Sequence, residues 1–447
     1  MNIKFGSAVE SITTRREFPL AKAREVLCGK TVAVLGYGIQ GPGQALNMRD
    51  NGFDVIVGQR KSGKANSSWA RAVKDGWVEG KTLFSLEEAA ERGDVVMMLV
   101  SDGSCPEVWK KVERFVTPGK YLYFSHGFGY VYSKLTGVRP QKGVGVVMVA
   151  PKGSGTSVRR NFLSGAGINS SYAFEPNGMK AGDVEKMAKA IGIAVGSGYL
   201  FPTTFEHEVT SDLVGERGML MGALAGVMEA QFETLRANGH SPSEAFNETC
   251  EELTQSLIRL VDENGMDWMY VNCSQTAQHG ALKWRPIFKK AVLPVFARLY
   301  RSVKSMKEAE EVVRDTGGAD YREKMRAKLM EMHNHEMWRA GEAVRSLRPH
   351  DTAKGDARSA GWGGRYVAGL GRKGSAEKRE PAPWRLWSRS RRLEPRLCSA
   401  IPAGRCSTYS TACRMRRSGS SWDGTSRARR TWPTPMRAPR ASRAYAL

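Results

Sequence analysis

A chain of 447 residues with a hydrophobic fraction of 41% is long enough for two or three domains with sizeable cores. No run of about 18 apolar residues occurs, the N-terminus lacks the apolar core of a signal peptide, and the seven cysteines form no CxxC pair, which speaks against a membrane span, a disulfide framework and a zinc site. The net charge of +23 would point to nucleic acid, but residues 350–447 hold 22 Lys and Arg against 6 Asp and Glu, so the first 349 carry only +7 and a nucleic-acid partner is not expected for them.

The first 200 residues alternate short β-rich runs, Thr31 to Leu35, Val55 to Val57, Val95 to Val100, Tyr121 to Phe124 and Val144 to Val149, with helical or turn-rich stretches. That alternation predicts a parallel α/β sheet. Directly after the first of these runs comes Gly36-Tyr37-Gly38-Ile39-Gln40-Gly41, a GxGxxG that opens a helix carrying Ala45, Leu46 and Met48. In that context the glycines permit a tight turn and close approach of backbone amides to a pyrophosphate at the positive end of a helix dipole. Alone the motif is weak, and a glycine-rich turn without ligand is its bland reading.

The second strand ends Gly58-Gln59-Arg60-Lys61, with Ser67 and Ser68 following, where an NAD site would place an acid for the ribose 2′-OH. Two cations there suit a 2′-phosphate, so the expected cofactor is NADPH. The alternative is a solvated basic loop. His126 follows Tyr121 to Phe124 in Ser125-His126-Gly127, and Lys152 follows another strand in Ala150-Pro151-Lys152-Gly153-Ser154-Gly155. Both sit at carboxyl ends of strands, the edge where open parallel sheets bind ligands.

From about Thr203 the pattern turns helical: one helix through Arg236, a second from Pro242 to about Glu263, and further helices to about Leu347. Asn238-Gly239 supplies a stop, and Ser241-Pro242-Ser243-Glu244 supplies N-cap, N1 proline and capping box. In the first helix Phe205, Val209, Leu213, Leu220 and Leu224 form one stripe, with Glu216 inside it and Asp212 at its edge. Two inward carboxylates one turn apart call for a divalent cation or a buried cation partner, and Arg217 lies on a different face. Glu248 and Glu252 form a second i, i+4 pair, but they face away from the stripe of Phe246, Cys250, Leu253, Leu257 and Val261. Periodicity alone reads them as a solvated face.

After Pro349 the periodicity disappears into Arg-, Ser-, Pro- and Gly-rich sequence with 19 Arg to 3 Lys, and disorder is expected from about His350. An out-of-frame reading of a GC-rich gene explains this composition most directly. A genuine extension binding RNA or acidic partners is the alternative.

The segments GYGIQGPGQALNMRDNGF, FSHGFG, APKGSGTSVRR, SDLVGERG, NGHSPSEAFNETCEEL and MWRAGEAVRSLRP, in this order, resemble the ketol-acid reductoisomerases, or acetohydroxyacid isomeroreductases, over about Phe5 to Pro349. The resemblance implies an N-terminal Rossmann domain (1–202), an all-helical knotted domain (203–349) present once as in the short form, and a foreign tail (350–447). It further implies NADPH and two Mg2+, with Asp212 bridging both ions, Glu216 binding one, and Glu248 and Glu252 arriving from the second copy of an interlocked homodimer, which would explain why they face away from their own core. Ser274 matches a serine that contacts the substrate carboxylate, Lys152 would lie beside the metals, and His126 beside the cofactor and active site. Tyr37 to Gln40, Arg60, Ser68, Asp102 and Gly155 match cofactor-contacting positions. The implied reaction is alkyl migration in an acetohydroxy acid such as 2-acetolactate, then reduction to the 2,3-dihydroxy acid on the route to valine and isoleucine. Gly103-Ser104-Cys105 departs from the expected Ala-Ala-Gln, and Lys283 stands where an aspartate is usual.

Two rival readings share parts of this pattern. A β-hydroxyacid dehydrogenase has the same two-part plan without a need for Mg2+ or the acidic pairs, and a non-catalytic scaffold would use the basic tail to bind nucleic acid. The intact carboxylates favour the reductoisomerase. The expected address is cytoplasmic, or organellar if a presequence precedes the start.

Overall fold

The computed structural model describes residues 1–65, 67–318 and 320–348. The expectation of a disordered tail from His350 falls outside them. The strands are β1 (Asn2–Phe5), β2 (Ala8–Ser11), β3 (Thr13–Thr14), β4 (Val32–Leu35), β5 (Val55–Gly58), β6 (Leu83–Phe84), β7 (Val95–Met98), β8 (Tyr121–Phe124), β9 (Gly145–Pro151), β10 (Ser170–Glu175) and β11 (Tyr199–Pro202). β1 and β2 pair as an exposed antiparallel hairpin. The other nine form one sheet in the order β3-β11-β10-β9-β8-β7-β4-β5-β6.

Six of these, β6-β5-β4-β7-β8-β9, run parallel in the doubly wound order whose switch point lies between β4 and β7. This is a Rossmann-like α/β region. Its strands are apolar at every position because both faces are covered. Val32, Val34, Val95, Met97 and Tyr123 pack on one side, and Ala33, Leu35, Val96, Met98, Leu122 and Phe124 on the other. Each fully buried large apolar side chain contributes roughly 1.5–3 kcal/mol. The periodicity did not reveal β10, antiparallel to β9, or β11 and β3, which widen the sheet at that edge.

The region that follows is mostly helical. Thr204, whose hydroxyl accepts from the His207 amide at 3.1 Å, starts the helix Phe205–Gly215. The sequence predicts one helix onward to Arg236, but the chain widens to i→i+5 turns over Glu216–Leu220 and kinks at Gly218 (φ −87°, ψ −125°) before Gly222–Ala237. A Cβ on Gly218 would stand 2.8 Å from the Phe296 ring of the helix Gln275–Lys304, so glycine lets the two elements close. Apolar periodicity runs straight through this break, and so conceals it. Phe128 and Tyr132 pack with Val209, Leu213, Val303 and Ala309, seating the helical region on the sheet's carboxyl edge.

Candidate active site

The turn after β4 separates the roles of its three glycines. Gly36 has φ +98°, and a Cβ there would lie 2.6 Å from the Leu99 carbonyl oxygen on the neighbouring strand end. A Cβ on Gly41 would lie 2.1 Å from the Gly36 oxygen, so the helix Gln40–Asp50 begins in direct contact with the turn. Gly38 is exposed with nothing within 4 Å of its Cβ direction, which leaves the approach a pyrophosphate needs at a helix N-terminus. Ile39 is exposed beside it, and Gln40 Nε2 donates to the Gly153 oxygen at 3.1 Å.

Two residues matched to cofactor positions sit differently. Tyr37 is buried: its hydroxyl donates to Asp75 Oδ2 at 2.9 Å and accepts from Trp77 Nε1 at 2.8 Å, so its backbone alone belongs to the turn. Gly155 packs against the turn, its Cβ direction meeting the Ile39 oxygen at 1.9 Å, and thereby holds the helix Gly155–Leu163 against it.

Beyond the end of β5 lies a cavity of about 470 Å3. Leu83, Phe84, Leu86 and Val108 give it apolar walls that suit a flat base, and Arg60 and Lys61 stand at its polar side. Ser68 opens the helix Ser68–Lys74, whose first turn is capped by Ser67. Together with the phosphate turn, this cavity fits a dinucleotide.

At the carboxyl ends of β8 and β9 the chain gathers a second constellation around a residue not singled out from the sequence, Glu208. One of its carboxylate oxygens accepts from the Gly127 amide at 2.9 Å and lies 3.1 Å from His126 Nδ1; the other accepts from Lys152 Nζ at 3.0 Å. Burial would raise the Glu208 pKa, but His126, Lys152 and the Gly127 amide outweigh it and hold the carboxyl down at about 2. Burial would likewise lower His126, yet the Glu208 hydrogen bond and the charges of Glu208, Asp102 and Asp212 push it up to about 9. His126 Nδ1 is also 3.3 Å from Asp212 Oδ2. Ligand atoms of His126, Glu208 and Asp212 all lie within 4.8 Å of one another.

Burial raises the pKa of Asp102, Asp212 and Glu216, and neighbouring carboxylates add to each rise. Asp102, matched to a cofactor position, therefore belongs electrostatically to this cluster as well. Arg217 offsets these rises only in part, its charge drawing all three acids down. Its Nε binds Glu308 at 2.9 Å, and the nearest Glu216 oxygen is 3.8 Å away. Four carboxylates against His126 and Lys152 leave an excess of negative charge that a hard divalent cation relieves, so the donor set fits such an ion. Glu208, Asp212 and Glu216 are spaced i, i+4, i+8, a row of acids on one helix face. That row is the signal in the sequence that would have identified Glu208.

Glu248 and Glu252 are exposed on a separate segment, and no hydrogen bond or ion pair among the described residues ties their side chains to this cluster. Between them Glu251 is buried and clamped through both oxygens by the Arg348 guanidinium, with Nε to Oε1 at 2.6 Å. Thus one glutamate of the three serves the chain's own packing and two point outward. Ser274 is exposed and caps the helix Gln275–Lys304, its hydroxyl accepting from the Ala277 amide at 3.2 Å.

The sheet order, the phosphate turn and the cavity at its far end are those of oxidoreductases that use a nicotinamide dinucleotide. A model of the acetohydroxy acid isomeroreductase NADPH-binding domain matches residues 26–199, and one of the ketol-acid reductoisomerase C-terminal domain matches residues 205–350. The chain belongs to the ketol-acid reductoisomerase family. It is 58% identical over 352 residues to the ketol-acid reductoisomerase (NAD(+)) of Desulfosudis oleivorans, covering 79% of this chain and 99% of that one. It is 50% identical over 349 residues to the mitochondrial ketol-acid reductoisomerase of Saccharomyces cerevisiae, covering 78% and 87%. Among solved structures, an NADH-preferring ketol-acid reductoisomerase from an uncultured archean superposes with a TM-score of 0.68 at 30% identity over 76% of this chain and all of that one.

Proposed function

We propose that the chain isomerises an acetohydroxy acid, 2-acetolactate or 2-aceto-2-hydroxybutyrate, by moving its alkyl group from C2 to C3, and reduces the new ketone with NADPH to the 2,3-dihydroxy acid of valine and isoleucine biosynthesis. The observation that carries this reading is the Glu208-centred cluster, which stands at the same sheet edge as the phosphate turn and holds a cation-seeking row of acids. Magnesium, when held by Asp212 and Glu216 with Glu248 and Glu252 of a second copy, supplies Lewis-acid polarisation of the ketone.

The chain's own groups do the positioning. Glu208 fixes the Lys152 ammonium where it can hold a substrate oxygen, and it engages His126 Nδ1, which leaves Nε2 as the ring atom free to exchange a proton. Ser274, the N-cap of its helix, presents a hydroxyl to the substrate carboxylate. The functional unit is then a homodimer or larger assembly with shared sites, built from residues 1–202 and a knotted helical domain 203–349, and acting in the cytoplasm or an organelle.

The test is oxidation of reduced nicotinamide with 2-acetolactate, with and without Mg2+. Magnesium-dependent turnover that disappears in Asp212→Asn is expected. Binding of the dinucleotide without turnover of either acetohydroxy acid would overturn the reading.

A further inference from the structure

The cations that line the dinucleotide cavity are largely matched by carboxylates. Lys61 Nζ lies 2.5 Å from Glu79 Oε1 and 5.7 Å from the centroid of the Trp69 ring, so the ammonium is held between an acid and an aromatic face. Lys111 Nζ, also in the lining, lies 2.8 Å from Glu107 Oε1. Glu87 and Glu88 also line the cavity, the latter paired with Arg92 at 2.9 Å. Arg60 is the one lining cation, among the described residues, without a carboxylate oxygen in ion-pair range. Glu79 is fixed by its turn: Gly80 takes φ +74°, the Leu83 amide donates to the Val78 oxygen at 2.9 Å, and the Val78 amide donates to Thr82 Oγ1 at 2.9 Å.

We propose that Glu79 is a specificity-determining residue that tempers the preference for the 2′-phosphate and lets the same site take NADH. The inference rests on the dinucleotide reading of this cavity. A 2′-phosphate carries about two negative charges at neutral pH. To use Lys61 it must draw the ammonium away from Glu79 and then sit beside the released carboxylate. A ribose 2′-hydroxyl meets no such opposition and can donate to a Glu79 oxygen. The pair is solvent-accessible, so its effect on affinity is modest and weakens with salt.

The experiment titrates the free enzyme with adenosine 2′,5′-bisphosphate and with AMP by calorimetry, in the unmodified protein, Glu79→Gln, Lys61→Gln and the double variant. In Glu79→Gln the bisphosphate is expected to bind about fivefold tighter and AMP within about twofold of the original. The gain should vanish in the Lys61→Gln background and shrink in high salt. NADPH and NADH dissociation constants from nicotinamide fluorescence should follow the two fragments. Equal change for both fragments, or a gain that survives Lys61→Gln, would refute the role of Glu79 while leaving the dinucleotide site standing. Failure of the unmodified enzyme to bind either fragment would overturn the site reading and this inference with it.

Discussion

Glu208 accepts from a backbone amide, an imidazole and an ammonium at once, and its amide analogue keeps the shape while deleting the charge that organises them. In Glu208→Gln, kcat is expected to fall roughly 100-fold, and the His126 pKa should drop from about 9 toward its ordinary range in metal-free protein. Turnover plus a histidine NMR titration reads both; normal kcat with an unmoved imidazole titration would contradict the role. The raised His126 pKa also has a signed effect on stability. Its contribution is fully present below the unfolded value near pH ~6.5 and is lost as pH rises through about 9. In EDTA, therefore, the melting temperature of the unmodified protein should decline across that window more than that of His126→Asn.

At the level of elements, the kink at Gly218 admits Phe296 and lies two residues after Glu216, so packing and metal affinity can be tested together. Gly218→Ala brings a Cβ to 2.8 Å from an aromatic carbon and is expected to cost about 1–3 kcal/mol in a denaturant midpoint, with Mg2+ affinity reduced as Glu216 moves. Unchanged stability and metal affinity would mean the glycine is incidental. The kink also marks where sequence reading stops. Apolar runs identify buried parallel strands because covering both faces removes polar residues, and the Gly36 turn is legible because its spacing has a mechanical meaning. Periodicity reports which face is apolar and not whether the backbone between stays α-helical, so the wide turns at Glu216–Leu220 and Asn247–Glu251 are invisible to it. Tyr37 shows a related limit: a motif position specifies backbone geometry, while its side chain points into the core and bonds to Asp75 and Trp77. Glu208 carries no signal alone, and becomes legible only as the first acid of the row it forms with Asp212 and Glu216.

For the whole molecule, the separation of Glu248 and Glu252 from the cluster makes a prediction about assembly. If sites are shared, Asp212→Asn and Glu248→Gln are each inactive alone, yet a refolded equimolar mixture regains roughly a quarter of full activity, since half the dimers are mixed and each has one complete site. No recovery would argue for sites complete within one chain. Saturating Mg2+ should raise the melting temperature of the unmodified protein and leave that of Asp212→Asn nearly unchanged. Protein ending at residue 349 should match full-length turnover. The clamp of Arg348 on Glu251 ties the end of the helical region to a buried carboxylate 97 positions upstream. During synthesis that acid waits unpaired until Arg348 leaves the ribosome, so the clasp is among the latest side-chain contacts the helical region can make. A chain cut short before Arg348 would leave a buried carboxylate without its cation, so truncation there should cost far more than the loss of one helix turn.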